Sequence, residues 1–470
     1  MKKYIDINLF IICAVILSTF SACKKSYLEL TPYTNIPPDV AVSTESDMLV
    51  ALNGMYQGLR SDSTFVRNIP VIGDVSGDNV FVSISNSGRY TTFNAFSFNV
   101  SSAEYSGMWT SFYKTILRAN NIINANLETS TLVNQYKGEA YAMRALCYFE
   151  LLQHFARPYT DLPNGAGVPI ILVFNPTQLA SRSTTSEVYG QIESDLEQAS
   201  SLITTYRGTA YLSQYAARAL LAKVALFKGD YATALTYAED VINNSGFTIV
   251  PMNSVVTFWA TTSPQTTTRV ETLFEVVSDA VYNSGTNELA YMYSQEGYGD
   301  LLAAPALYNL YNDSDVRKSL ITVGARSGAE NPAYIATKFK AVSGDRDDKK
   351  VIRMSDVYLI AAEAAHSQAV SDDVLALQYL NTLMLQRDPS LVYTSTGSQL
   401  LEDIITERRK ELAFEGDRYH TLNRLMRDIN RSSVFPAAAL NIPYSNFRRV
   451  GPIPQSELNV NPNIVQNPGY

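Results

Sequence analysis

Charge is scarce in this sequence, and so are the residues that metal and redox chemistry use. Asp, Glu, Lys and Arg make up 17% of the 470 residues, below the quarter usual for soluble domains, so the folded surface must be largely neutral and polar. The net charge is -8 with no block of Lys or Arg, which excludes a nucleic-acid binder, because counterion release needs a basic footprint. The three histidines, His154, His366 and His420, are scattered and fit no metal-ligand spacing, so no zinc or iron centre is expected. Of three cysteines, Cys13 and Cys23 lie at the N-terminal end and Cys147 stands alone in the body, leaving no internal disulfide. A G-x-G-x-x-G after a strand, a P-loop and a G-x-S-x-G are all missing. Residues 73–77 place their serine one position late, and the S-x-x-K at Ser111 to Lys114 has no K-T-G partner. No cofactor is called for.

What is abundant is apolar residues, 46%, and tyrosine, 30 in all. The first supplies ample core. The second, on a neutral surface, suits uncharged ligands such as glycans or peptides, since a tyrosine offers a flat ring and a hydroxyl together.

Lys2 and Lys3 precede an apolar run over residues 9–20, too short to span a bilayer and the length of an export signal. Phe20-Ser21-Ala22-Cys23 directly after it resembles a lipobox, with Cys23 as the lipidated residue. The reading is therefore a signal over 1–22 and a lipid-anchored tether over 23–43, made extended by Pro32, Pro37 and Pro38.

One domain is expected over 44–470, built on helices in 44–61, 105–245 and 351–428. Thr44 to Asp47 reads as a helix start. Residues 136–155 and 185–203 form further helices, and Trp109, Tyr113 and Ile116 share a core-facing stripe. Residues 216–244 carry small residues at Ala222 and Ala225, a corner at Gly229-Asp230-Tyr231 and then Ala234 and Tyr237, which resembles one tetratricopeptide helix pair. The 353–368 and 372–386 segments repeat that logic. Such pairs stack because neither helix buries its face alone, so the fold class is mainly α: a tetratricopeptide-like helical repeat scaffold. Regions 62–104 and 246–345 lack a sustained helical period and read as loop-rich excursions with a few short strands, the kind of long loop that carries function. Five prolines after Asn441 predict a tail over 441–470 without helix, extended across the body.

Residues 407–425, E-R-R-K-E-L-A-F-E-G-D-R-Y-H-T-L-N-R-L, hold more charge than any other window. They predict a helix, a corner at Gly416 and a second helix capped by Asp417. Glu411 and Glu415 could be an acid/base pair. The better reading is a structural ion network with Arg408, Arg409, Lys410 and Arg418. This window resembles the C-terminal signature of the SusD/RagB family of outer-membrane nutrient-binding lipoproteins, and residues 136–155, 351–364 and 452–470 match further motifs in the family's order.

The resemblance implies a SusD-like fold and a binding protein, not an enzyme. It would face the cell exterior from the outer membrane, capture an oligosaccharide and pass it to a partner TonB-dependent transporter. A peptide ligand and a ligand-free interaction scaffold are the alternatives. Aromatics outside helical periodicity mark two candidate ligand-binding stretches. One holds Asp78, Asn79, Phe81, Arg89, Tyr90 and Phe93; the other holds Asn287, Tyr291, Tyr293 and Tyr298.

Overall fold

The computed structural model describes residues 42–175 and 177–470; Cys23, the export signal and nearly all of the expected tether lie outside them. Helix accounts for about 48% of the described residues and strands are short, as the periodicity predicts. Glu45–Gln57 starts at Thr44, whose hydroxyl accepts from the Asp47 amide at 3.1 Å. It packs on Ala103–Ile123, which packs on Thr131–Phe155, and the series continues through Thr185–Leu202, Gln214–Lys228, Tyr231–Asn244, Met354–Ser367 and Gly397–Glu411. The tetratricopeptide-like pair is present as read: Gln214–Lys228 packs on Tyr231–Asn244, Ala222 and Ala225 are buried, and Gly229 takes a φ of 82° that closes the first helix. Arg144 clamps the next layer, donating to both oxygens of Asp195 at 2.8 and 2.7 Å with neither group exposed.

The described residues form four two-stranded antiparallel pairs, three of them involving the inserted regions and the fourth joining Ile429–Asn430 to Asn441–Ile442. Val80–Val82 pairs with Leu301–Ala303, which joins the two loop-rich regions to each other, and Thr272–Val276 pairs with Lys349–Arg353 at the foot of the scaffold. The principal apolar cluster runs from Val42 to Ile464 through both parts.

Three expectations need correction. The 62–98 stretch contains an eight-residue helix, Asn68–Val75, in which every residue is buried. With no polar face it leaves no helical period in the sequence. The tail carries a short helix, Gln455–Val460, starting directly after Pro454; proline is tolerated at a helix start, where no intrahelical N–H is owed. It does cross the body, Gly451 donating to the carbonyl of His154 and Asn467 to that of Phe155. Third, Gly416, with φ 86°, occupies the cap position itself, and the Asp417 carboxylate turns away to accept from Arg408 and Thr421.

The ion network exists with different partners. Glu411 accepts from Arg317, Arg353 and Arg387, and Glu415 from Arg353 and Lys338. Arg408 pairs with Asp356 and Asp417, Lys410 with Glu407 and Asp315, and Arg409 and Arg418 both with Asp78. The helix Gly397–Glu411 is sunk into the protein at its C-terminal end, so apart from the Lys410–Glu407 pair on its own surface its charges reach outward to packed neighbours. These carboxylates hold the inserted region to the scaffold.

Candidate ligand-binding surface

The apolar triplet Val80–Val82 prefers extended pairing, and once it lies against Leu301–Ala303 the polar stretch that follows is carried over the second loop region. Ser83 donates to the Asp300 carbonyl at 2.8 Å, and the Asp300 carboxylate accepts from the amide and hydroxyl of Ser87. Arg326 stitches the other side, donating to the carbonyls of Ser85 and Tyr298. The outcome is that the Arg89 guanidinium sits 3.9 Å from the Tyr298 ring centroid, and the Tyr291 ring is 5.9 Å from that of Tyr298. Tyr291 also holds the turn beyond it, its carbonyl accepting from the amides of Tyr298 and Gly299. Asn287 lies further along, its Oδ1 accepting from Arg67 at 2.6 Å. Thus the structure brings the two aromatic stretches together, and Arg89, Asn287, Tyr291 and Tyr298 are partly exposed there.

The remaining six candidates are seated inside. Phe81 packs on Phe435 in a small separate core, and Phe93 stacks on Phe98 with centroids 5.0 Å apart. Tyr90 has φ 56° and is buried, with its hydroxyl on Asn68 and its ionisation disfavoured by burial. Tyr293 is wholly buried against Phe414. Burial opposes ionisation of Asp78, yet Arg409 and Arg418 hold its carboxyl below the usual carboxylate range. Asn79 bridges Asp74 and Arg409. The Ser, Asn and Gly around these residues suggest a surface loop, while Phe81 and Phe93 fill aromatic cores, Tyr90 reaches Asn68 of the buried helix, and Asp78 and Asn79 join the ion network. Sequence reading missed Arg67 and Arg326, which position Asn287 and Tyr298. Arg326, in a Gly/Ser-rich turn with no acid before Glu330, carried a usable signal.

Chemically, the surface offers rings and hydrogen-bond donors. Among the described residues no three His, Cys, Asp or Glu are grouped to hold a metal ion, and no helix is long and apolar enough to cross a membrane.

Comparison with known proteins adds the following. Residues 26–226 match a family described as starch-binding and associating with the outer membrane, and residues 330–470 match the SusD family. SusD-like protein P2 of Formosa agariphila is 28% identical over all of both chains. A SusD superfamily protein from Bacteroides thetaiotaomicron is 30% identical, with 90% of this chain and 100% of that one covered and a TM-score of 0.83. A putative sugar binding protein from Bacteroides vulgatus is 27% identical, with 92% and 99% covered and a TM-score of 0.82.

Proposed function

The chain belongs to the SusD family, and on that premise we propose that it is a lipid-anchored outer-membrane protein that captures an oligosaccharide and hands it, unaltered, to a TonB-dependent transporter. The observation that carries the reading is the pairing of Val80–Val82 with Leu301–Ala303, which lays Arg89 over Tyr298 beside Tyr291. A tyrosine face suits the C–H side of a sugar ring. A guanidinium has five N–H donors for sugar oxygens, and Ser87 takes only one of those of Arg89, at 2.7 Å. The likeness, at 27% identity, to the protein described as a putative sugar binding protein supports the same ligand class.

The test begins with a glycan array on the purified protein and continues by calorimetry with the best glycan. Tyr298→Ala and Tyr291→Ala are each expected to weaken binding about three- to tenfold, the worth of one ring contact, with little change in melting temperature. Unchanged affinity in both variants would place the site elsewhere.

Anchoring is tested separately. Metabolic labelling with a fatty acid is expected to mark the wild type and to be lost in Cys23→Ala; equal label in both removes the anchor from the proposal.

A further inference from the structure

We infer a second glycan subsite, sized for one uncharged pyranose ring, in the cleft between the helix Glu45–Gln57 and the strand Thr272–Val276; the inference rests on the reading above that the ligand is a glycan. The cleft encloses about 320 Å³, which reaches the lower bound of small-molecule sites, roughly 300 Å³. Four further cavities among the described residues measure about 80 Å³ or less, room for at most a few waters.

Its wall is set in place before any ligand arrives. The Tyr211 ring carries the Arg207 guanidinium 4.0 Å from its centroid and meets Tyr56 edge-on at 5.4 Å. The Tyr56 hydroxyl is already engaged, donating to Glu139 at 2.7 Å and accepting from the Leu212 amide at 2.9 Å, so Tyr56 serves as the buttress and Tyr211 as the half-exposed face. Tyr282 stands at the rim, 61% exposed, its amide donating to Asp279 at 2.7 Å. A ring held by contacts on its far side loses little freedom on binding.

The polar groups decide the class of ligand. Arg60 and Asp279 face each other at 3.4 Å with both side chains partly exposed, and Glu275 is matched by Lys350 at 3.3 Å. Each charge is therefore compensated. An anion or cation finds no unpaired partner, whereas the donors of Arg60 and the acceptors of Asp279 remain close enough to share with neutral hydroxyls.

The cleft is also joined to the first surface. Ser284 donates to the Arg60 carbonyl at 3.2 Å, and the chain running on from Tyr282 supplies Asn287, Tyr291 and Tyr298. One glycan long enough to touch both places would combine two weak contacts.

Saturation-transfer NMR on the full chain, with a mixture of methyl glycosides of glucose, galactose, mannose and xylose, separates the two sites. With the first surface disabled by Tyr298→Ala, transfer to a glycoside is expected to persist, and adding the exposed substitution Tyr282→Ala is expected to weaken it about tenfold, roughly 1.4 kcal/mol. Abolition by Tyr298→Ala alone overturns the subsite and leaves the first surface standing, and transfer that survives Tyr298→Ala but is indifferent to Tyr282→Ala overturns the subsite and places the surviving binding elsewhere. Transfer unaffected by Tyr298→Ala but lost with Tyr282→Ala supports the cleft and removes the first surface. No transfer to the wild type overturns both.

Discussion

Glu411→Ala is expected to cost the fold roughly 3–5 kcal/mol, because it leaves buried cations one anion short. The Glu411 carboxylate accepts from Arg353 at 2.6 Å, Arg387 at 2.9 and 3.1 Å, and Arg317 at 3.1 Å. All three guanidiniums are buried, and the remaining acids that pair with them, Glu271, Asp315, Glu407 and Glu415, are already committed to the same cluster. Glu411→Gln keeps the shape and removes the charge, so it should retain most of the loss. Urea denaturation reads the effect as a lower midpoint at constant slope, and a loss under about 1 kcal/mol would show that the network contributes little.

The same residue sets a pH dependence. Burial opposes ionisation of Glu411, but Arg387, Arg353 and Arg317 outweigh it and hold the carboxyl well below its ordinary value of 4.5. A folded value below the unfolded one means that the stabilisation is complete above pH 4.5 and is lost as pH falls toward the folded value. Wild type should therefore weaken in that acid window, and Glu411→Gln should show a flatter profile across it.

Gly73→Ala is the second large expected effect, a loss of roughly 3 kcal/mol or more through overpacking. A Cβ on Gly73 would lie 1.9 Å from the carbonyl oxygen of Gly416, and one on Gly416 would lie 2.7 Å from that of Ile69. Both obstacles are backbone, so no side chain can turn aside. Gly54, in the middle of Glu45–Gln57, meets nothing within 4 Å. Gly54→Ala should be neutral or slightly stabilising through helix propensity. Thermal unfolding of the pair checks the contrast, and a Gly73→Ala melting temperature near that of wild type would show that the helix and the corner separate freely.

The helical scaffold was legible because its signals are local. Ala222, Ala225 and Gly229 announce a close-packed helix pair within fifteen residues, and Thr44 with Asp47 announces a start within four. The ion network was half legible: its charges were recognised as structural, but the partners of Glu411 come from residues 317, 353 and 387, and no spacing rule reaches that far. The candidate site divided on a different line. Arg89, Tyr291 and Tyr298 meet because two strands pair across the chain, which the aromatic pattern pointed to without showing. Tyr90 and Tyr293 carried the same pattern and went inside, since exposure depends on what lies beneath a loop. Tyr211 sits in a Thr/Tyr/Ser stretch of the same kind, too short between two strong helices to stand out as a loop of its own.

The Val80–Val82 pairing has a kinetic consequence. Ser87 and Asp300, which bond just beyond the paired strands, are 213 residues apart, and closing so long a loop must be completed before its contacts reward it. The helix pairs can form early from neighbouring residues. The surface bearing Arg89 and Tyr298 waits until residues near 80 find those near 300, so a refolding chain should regain its helical circular dichroism before it regains the ability to bind.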